Sequence, residues 1–180
     1  MVVTNDPHLA DKLKYYRNLC FNQKQRFIHD DLGWNFRMSN LQAAVGVAQL
    51  ENLDKVVSRK RKMGERYDEL LKDVKAIQLP LKATEYSKNI YWVYPIVVRD
   101  EIFQEAKYFM DLLNKEGIGT RPFFWPINKQ PVFNNLGLFL EEEYPISEKI
   151  AKRGFYLPSG VALTEEQIDF VAKKVQNIFD

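Results

Sequence analysis

The stretch from Ser39 to Leu70 constrains the fold more than any other part of the chain. Ser39 and Gln42 stand at capping-box spacing, in which the serine hydroxyl accepts from the third helical N–H and the glutamine reaches back to the cap. A long helix is therefore expected to open there. Its first half is rich in alanine and valine on most faces (Ala43, Ala44, Val45, Val47, Ala48), which predicts burial, with a partner molecule as one covering surface. Gly46 allows another backbone to approach closely. The second half keeps an apolar stripe at Leu53, Val56, Met63, Tyr67 and Leu70, with charges elsewhere.

The flanks read as mixed α and β. Met1 to Val3 is β-prone, and a strand that opens at the first residue points either to a piece of a longer protein or to a strand joining a sheet edge. Asn5 or Asp6 caps a helix with Pro7 in its first turn, and apolar spacing carries it to Asn18. Leu19 to Arg37 has no sustained period but many aromatics, which marks a functional loop rather than a disordered one. Tyr91 to Val98 reads as a strand, with Pro95 placing it at an edge or bulge. A helix follows over Phe103 to Leu113, closed by Gly117, and Gly119 to Phe124 is a second strand. Ser147 is expected to cap a short helix. Thr164 with Gln167 caps the last one, whose core face is Ile168, Val171, Val175 and Ile178. A boundary is expected near Leu79-Pro80.

Composition narrows the function classes. There are 26 basic and 24 acidic residues, net charge +2, so nothing favours a nucleic acid or an anionic membrane as partner. The run Arg59-Lys60-Arg61-Lys62 is accordingly read as a solvated helix face. Cys20 is the only cysteine, which fits a reducing cytoplasm. No apolar stretch is long enough to span a bilayer, and no signal peptide is legible. His8 and His29 are the two histidines, without metal-ligand spacing to each other or to Cys20, so no metal is expected.

Two clusters carry chemistry. In Gly33-Trp34-Asn35-Phe36-Arg37-Met38-Ser39-Asn40, an amide and a guanidinium precede a helix start. In extended backbone Asn35 and Arg37 point to one side. With the helix N–H groups they form an anion site, or else Asn35 makes a turn and Arg37 a surface ion pair. In Arg121-Pro122-Phe123-Phe124-Trp125-Pro126-Ile127-Asn128, aromatics and prolines surround one arginine. They either wall a pocket for a base or sugar, or cover a core edge.

The run Leu32-Gly33-Trp34-Asn35-Phe36-Arg37-Met38-Ser39-Asn40-Leu41-Gln42-Ala43-Ala44, continued by Gly46 to Leu53, resembles the DegT/DnrJ/EryC1/StrS aminotransferases. Met1 to Asp6 resembles the strand after their cofactor lysine. Gly119 to Pro126 and Tyr156-Leu157-Pro158-Ser159-Gly160 match two later landmarks in order. The resemblance covers nearly the whole chain and implies the C-terminal part of an aspartate-aminotransferase-type (fold type I) α/β protein. Residues 1–40 would end the large domain, 41–78 form the connecting helix, and 79–180 form a small α+β domain. Within the family the sequence is most similar to members that aminate GDP-4-keto-6-deoxymannose to GDP-perosamine, with glutamate as donor and pyridoxal 5'-phosphate as cofactor.

The resemblance also implies a homodimer, or pairing with a complementing N-terminal half. It implies that Asn35 and Arg37 grip the cofactor phosphate across a subunit interface. His29, Trp34, Arg121, Phe124, Trp125 and Asn128 would face the nucleotide sugar. Other classes open to this sequence are a non-catalytic binding or dimerisation module and a family dehydratase. Two departures stand out. No lysine here lies in a context matching the cofactor lysine, so no catalytic residue is assigned and the chain alone is expected to be inactive. Asn128 stands where many relatives have histidine, and asparagine cannot shuttle protons near neutral pH.

Overall fold

The computed structural model describes every residue except Met1, Gln23, Arg26 and Asp180. The chain divides into two compact units, Met1–Asn52 and Leu53–Asp180.

In the first unit, Asp6 opens helix α1 (Pro7–Arg17). Its Oδ1 accepts from the backbone N–H groups of His8 at 2.8 Å and Leu9 at 3.2 Å, while Pro7 sits where a missing N–H costs nothing. Of the strand expected at the start, Met1 lies outside the described residues. Val2 and Val3 are exposed and in no strand, since a strand persists only beside one it can bond to.

The Ser39–Gln42 capping box forms as read, and opens α2 (Asn40–Glu51). Gln42 N–H donates to Ser39 Oγ at 3.3 Å, and Ser39 N–H donates to Gln42 Oε1 at 2.9 Å. The single long helix is instead two. Asn52 closes α2 and α3 (Leu53–Leu71) begins afresh. Asn52 donates its Nδ2 to Ala48 O at 2.9 Å and its N–H to Gln49 O at 3.2 Å, so it takes up carbonyls that a continuing helix would use. The predicted burial of α2 does not occur within this chain. None of its residues is buried, Leu41, Val45, Val47 and Leu50 are exposed, and Gly46 has no heavy atom near its Cβ direction.

The second unit is an antiparallel sheet with helices packed on it. The strands are β1 (Ile77–Gln78), β2 (Tyr94–Val98), β3 (Arg121–Pro122) and β4 (Gly154–Leu157), in the order β1-β2-β4-β3. In β2 alternate residues Tyr94, Ile96 and Val98 are buried, the period-2 pattern of a sheet with one covered face. The strand starts later than expected because Tyr91 adopts φ +50°. Pro95 lies on an inner strand, but β1 reaches only Val97 and Val98. At Pro95 the sheet is therefore bordered on one side only, which is why proline is tolerated.

Helices α4 (Ala106–Lys115), α5 (Pro131–Asn135), α6 (Pro145–Arg153) and α7 (Glu165–Phe179) complete the unit. Gly117 follows α4 at φ +77°, as its helix-ending role requires. Ser147 does not cap α6. Tyr144 is the N-cap, Pro145 sets the first turn, and Glu148 Oε1 accepts the Tyr144 N–H at 3.2 Å. The Thr164–Gln167 box forms as read, and Ile168, Val171 and Val175 are buried with Ile178 packed beside them.

Of the expected stripe on α3 only Met63 and Tyr67 are buried, with Leu70 partly buried; Gly64, Asp68 and Leu71 are buried as well, while Leu53 and Val56 are exposed. Each fully buried large apolar side chain here stabilises the fold by roughly 1.5–3 kcal/mol. Asp68 is a carboxylate inside this core. Tyr91 Oη and Tyr94 Oη each donate to it at 2.7 Å, and the Lys82 ammonium stands 3.7 Å away. The basic run 59–62 is not the purely solvated face expected. Lys60 Nζ donates to the carbonyls of Trp92, at 2.8 Å, and Ser159, and Arg61 Nε donates to Asn89 O at 3.3 Å. These long side chains reach over the apolar surface and dock on loop carbonyls. Partial burial holds the Lys60 ammonium below its ordinary pKa.

Candidate functional site

The first cluster is built on the end of α1. Leu19 and Cys20 adopt left-handed φ values of 62° and 50°, which reverse the chain. Residues 33–37 then return alongside α1. Trp34 N–H donates to Tyr16 O at 2.8 Å, Phe36 N–H to Arg17 O at 2.9 Å, and Leu19 N–H to Trp34 O at 3.1 Å. A backbone bridge joins Asn18 to Asn35. Gly33 is required where residues 33–37 pass the Leu19-Cys20 reversal, because a Cβ there would lie 2.6 Å from Cys20 N and Sγ. Cys20 is buried, and loss of solvation followed by the Asp31 charge raises its thiol pKa, so it is a packing residue.

Asn35 and Arg37 are joined by a local bond, and the Arg37 side chain meets Asn18. Arg37 N–H donates to Asn35 Oδ1 at 3.3 Å, and Arg37 Nη1 donates to Asn18 Oδ1 at 3.2 Å. The turn reading for Asn35 is thus correct for its oxygen, while the ion-pair reading for Arg37 finds no counterpart among the described residues. Asn35 Nδ2 and Arg37 Nε and Nη2 bond to none of the described residues. Two donors of the α2 start, the N–H groups of Ser39 and Gln42, are consumed by the capping box, which leaves Asn40 and Leu41 at the open helix end.

His29 and Trp34 lie in the same unit. His29 Nδ1–H donates to Leu19 O at 2.6 Å, since a carbonyl can only accept, and its ring rests 4.8 Å from Phe21. Trp34 stacks parallel to Phe36 at 6.3 Å and is half exposed. These exposed rings and unengaged donors offer an aromatic ledge beside an anion grip. Asn18 is a contributor that the sequence reading passed over. A helix-ending asparagine opposite an arginine leaves no periodic signal.

The second cluster lies in the other unit. Arg121, exposed on β3, pairs with Tyr156 of β4. The loop that follows is pinned by Phe123, whose ring sits 4.6 Å from Tyr156. Phe124 projects outward at 75% exposure and borders an open groove of about 600 Å³ with Tyr144, Ile146 and Ile150. Trp125 is half exposed, and its Nε1–H donates to Lys129 O at 3.0 Å. Asn128 is buried. Its Nδ2 donates to Glu148 Oε1 at 3.1 Å and Glu142 O at 3.4 Å, while its backbone carbonyl accepts from Asn134 Nδ2 at 3.0 Å. The amide therefore shapes this wall from inside. The Tyr144 N–H, then Asn128 and Lys129, hold the Glu148 carboxyl below its usual range. Among the described residues no His, Cys, Asp and Glu cluster could hold a metal, and no helix is long and apolar enough to cross a membrane.

The chain has relatives among known proteins. A family model for the DegT/DnrJ/EryC1/StrS aminotransferase family matches residues 1–176. The chain belongs to that family. It is 30% identical over 179 residues to GDP-perosamine synthase of Escherichia coli O157:H7, covering 99% of this chain and 47% of that protein. The Vibrio cholerae GDP-perosamine synthase is 32% identical over 183 residues, covering 100% of this chain and 48% of that protein. Among solved structures, Helicobacter pylori PseC, an aminotransferase involved in the biosynthesis of pseudoaminic acid, superposes with a TM-score of 0.84 at 26% identity. It covers 98% of this chain and 47% of its own. The family member described here thus spans about half the length of the curated relatives it matches, and its fold is part of a fold type I transferase.

Proposed function

We propose that this chain contributes the cofactor-phosphate grip and a sugar-facing loop to a pyridoxal phosphate-dependent sugar-nucleotide aminotransferase. In this reading the substrate is GDP-4-keto-6-deoxymannose, the product GDP-perosamine and the amino donor glutamate, in a cytoplasmic dimer. The cofactor, when bound, supplies an electron sink that lets an amino group pass between donor and sugar.

The single observation that carries the reading is the Asn35–Arg37 pair, held ahead of α2 with its outer donors unengaged. A guanidinium edge, a carboxamide N–H and the α2 helix start fit a phosphate monoester in charge and in donor number. Trp34 and His29, both exposed in the same loop region, are assigned to the sugar in this reading. Arg121 supplies a cation for the diphosphate, Phe124 and Trp125 supply apolar surface that excludes water, and Asn128 holds that wall in shape. In this reading residues 1–40 close the large domain and 79–180 form the small domain, while 41–78 connect them and α3 packs its later half into the core of the Leu53–Asp180 unit. In this reading the exposed apolar face of α2 is covered by a partner polypeptide. The lysine that anchors the cofactor belongs, in this reading, to the half of the family fold that this chain does not span.

The test joins this chain to the part of a GDP-perosamine synthase that it does not span, either as one polypeptide or as two coexpressed pieces. The expected result is a protein that retains pyridoxal phosphate, with its absorbance band, and aminates the keto sugar. Arg37→Ala should weaken cofactor retention roughly 10- to 100-fold, the range for a charge-assisted hydrogen bond to phosphate. A folded assembly without the band, or one in which Arg37→Ala leaves retention unchanged, refutes the reading.

A further inference from the structure

The Arg37 guanidinium is exposed, on an extended segment, and a side chain of that length has many rotamers. What orients it is Asn18, nineteen positions earlier, through Oδ1 at 3.2 Å from Nη1. We infer that Asn18 is a positioning residue that holds Arg37 in its phosphate-binding pose.

Three observations support this. The backbone of Asn18 is itself fixed: its N–H donates to Tyr15 O at 3.1 Å, and it forms the bridge to Asn35. Both arms of the grip are therefore referenced to one residue. The next two residues, Leu19 and Cys20, hold left-handed conformations that ordinary residues rarely adopt. Such strain persists only where the surroundings over-determine the chain. Here those surroundings are the ladder between residues 15–20 and 33–37 and the close fit of Gly33 against Cys20.

The chemistry of the bond also suits the task. A carboxamide oxygen is neutral, so it orients the guanidinium without cancelling its charge, as an Asp or Glu partner would. It occupies Nη1 and leaves the Nε–Nη2 edge, whose two parallel N–H groups match two oxygens of a phosphate. A grip oriented before the ligand arrives loses less side-chain freedom on binding.

The inference rests on the phosphate-grip reading, and the experiment separates the two. The 180-residue chain is titrated with inorganic phosphate while the side-chain N–H resonances of Arg37 and Asn35 are followed by NMR. In the unmodified chain phosphate should shift both. Asn18→Ala should weaken phosphate binding roughly three- to tenfold, the loss of one orienting hydrogen bond. It should also merge the separate Arg37 Nη signals before any phosphate is added. Asn18→Asp, which keeps the size and the helix-ending habit of asparagine, should weaken binding further by pairing with the guanidinium.

In an Arg37→Ala background Asn18→Ala should have no further effect. An equal loss in both backgrounds means that Asn18 merely holds the loop, and overturns the positioning role while the phosphate grip stands. Unchanged Nη signals in Asn18→Ala overturn it as well. If phosphate leaves Arg37 and Asn35 unshifted, or Arg37→Ala binds phosphate as well as the unmodified chain, the phosphate grip fails. The positioning role fails with it.

Discussion

Gly154→Ala is expected to destabilise the Leu53–Asp180 unit by about 3 kcal/mol or more, the upper range for overpacking a closed core. Gly154 ends α6 and starts β4, and it is buried. A Cβ placed there would lie 1.9 Å from two ring atoms of Phe123 and 2.7 Å from the Ile150 carbonyl oxygen. Moving the ring disturbs its contact with Tyr156 at the start of the 121–128 loop. The carbonyl belongs to α6 and cannot move without unwinding its last turn. The measurement is chemical denaturation of the single variant and of Gly154→Ala with Phe123→Leu. The second substitution should recover part of the loss, because it removes the ring clash and leaves the backbone one. A Gly154→Ala protein within about 0.5 kcal/mol of the original would show that the loop does not depend on this fit.

Stability should fall steeply as pH rises above about 10, the ordinary tyrosine pKa. Burial is the leading cause that raises Tyr67, Tyr91 and Tyr94 well above that value, with Asp68 as a further cause for the latter two. Each hydroxyl is a donor inside the core: Tyr67 to Pro158 O at 2.9 Å, and Tyr91 and Tyr94 to the Asp68 carboxylate. Their folded pKa values exceed the unfolded ones. Between the two, the unfolded chain has released protons that the folded chain keeps, so unfolding is favoured as pH rises. The stabilisation is complete below about pH 10 and is lost above it, by about 1.4 kcal/mol per pH unit for each tyrosine, or about 4 kcal/mol for all three. Urea midpoints measured from about pH 9 to 11 test this. Tyr94→Phe should lower the slope by roughly one tyrosine's share. A midpoint flat across that range would contradict the buried arrangement.

Local signals were legible in the sequence wherever neighbours in the chain sufficed. The capping boxes at Ser39 and Thr164, the Asp6-Pro7 helix start and the Gly117 stop are satisfied by atoms within a few residues of each other. Ser147 misled because a proline two residues earlier set the turn first and Glu148 took the N–H. The helix through Asn52 misled because an asparagine side chain competes for carbonyls, and the apolar period does not register that. The basic run at 59–62 misled because the carbonyls that receive Lys60 and Arg61 lie far along the chain.

Of the candidate site, alternation could single out Asn35 and Arg37 as candidates ahead of a helix start, and the family could be recognised from ordered motifs. Tertiary structure alone decided that Asn18 meets Arg37, that Asn128 points inward to Glu148, and that Asp68 lies beneath two tyrosines. Periodicity reports which face of an element is apolar. It carries no record of which polar atom, tens of residues away, completes a hydrogen bond, because that partner exists only once the chain has folded back on itself.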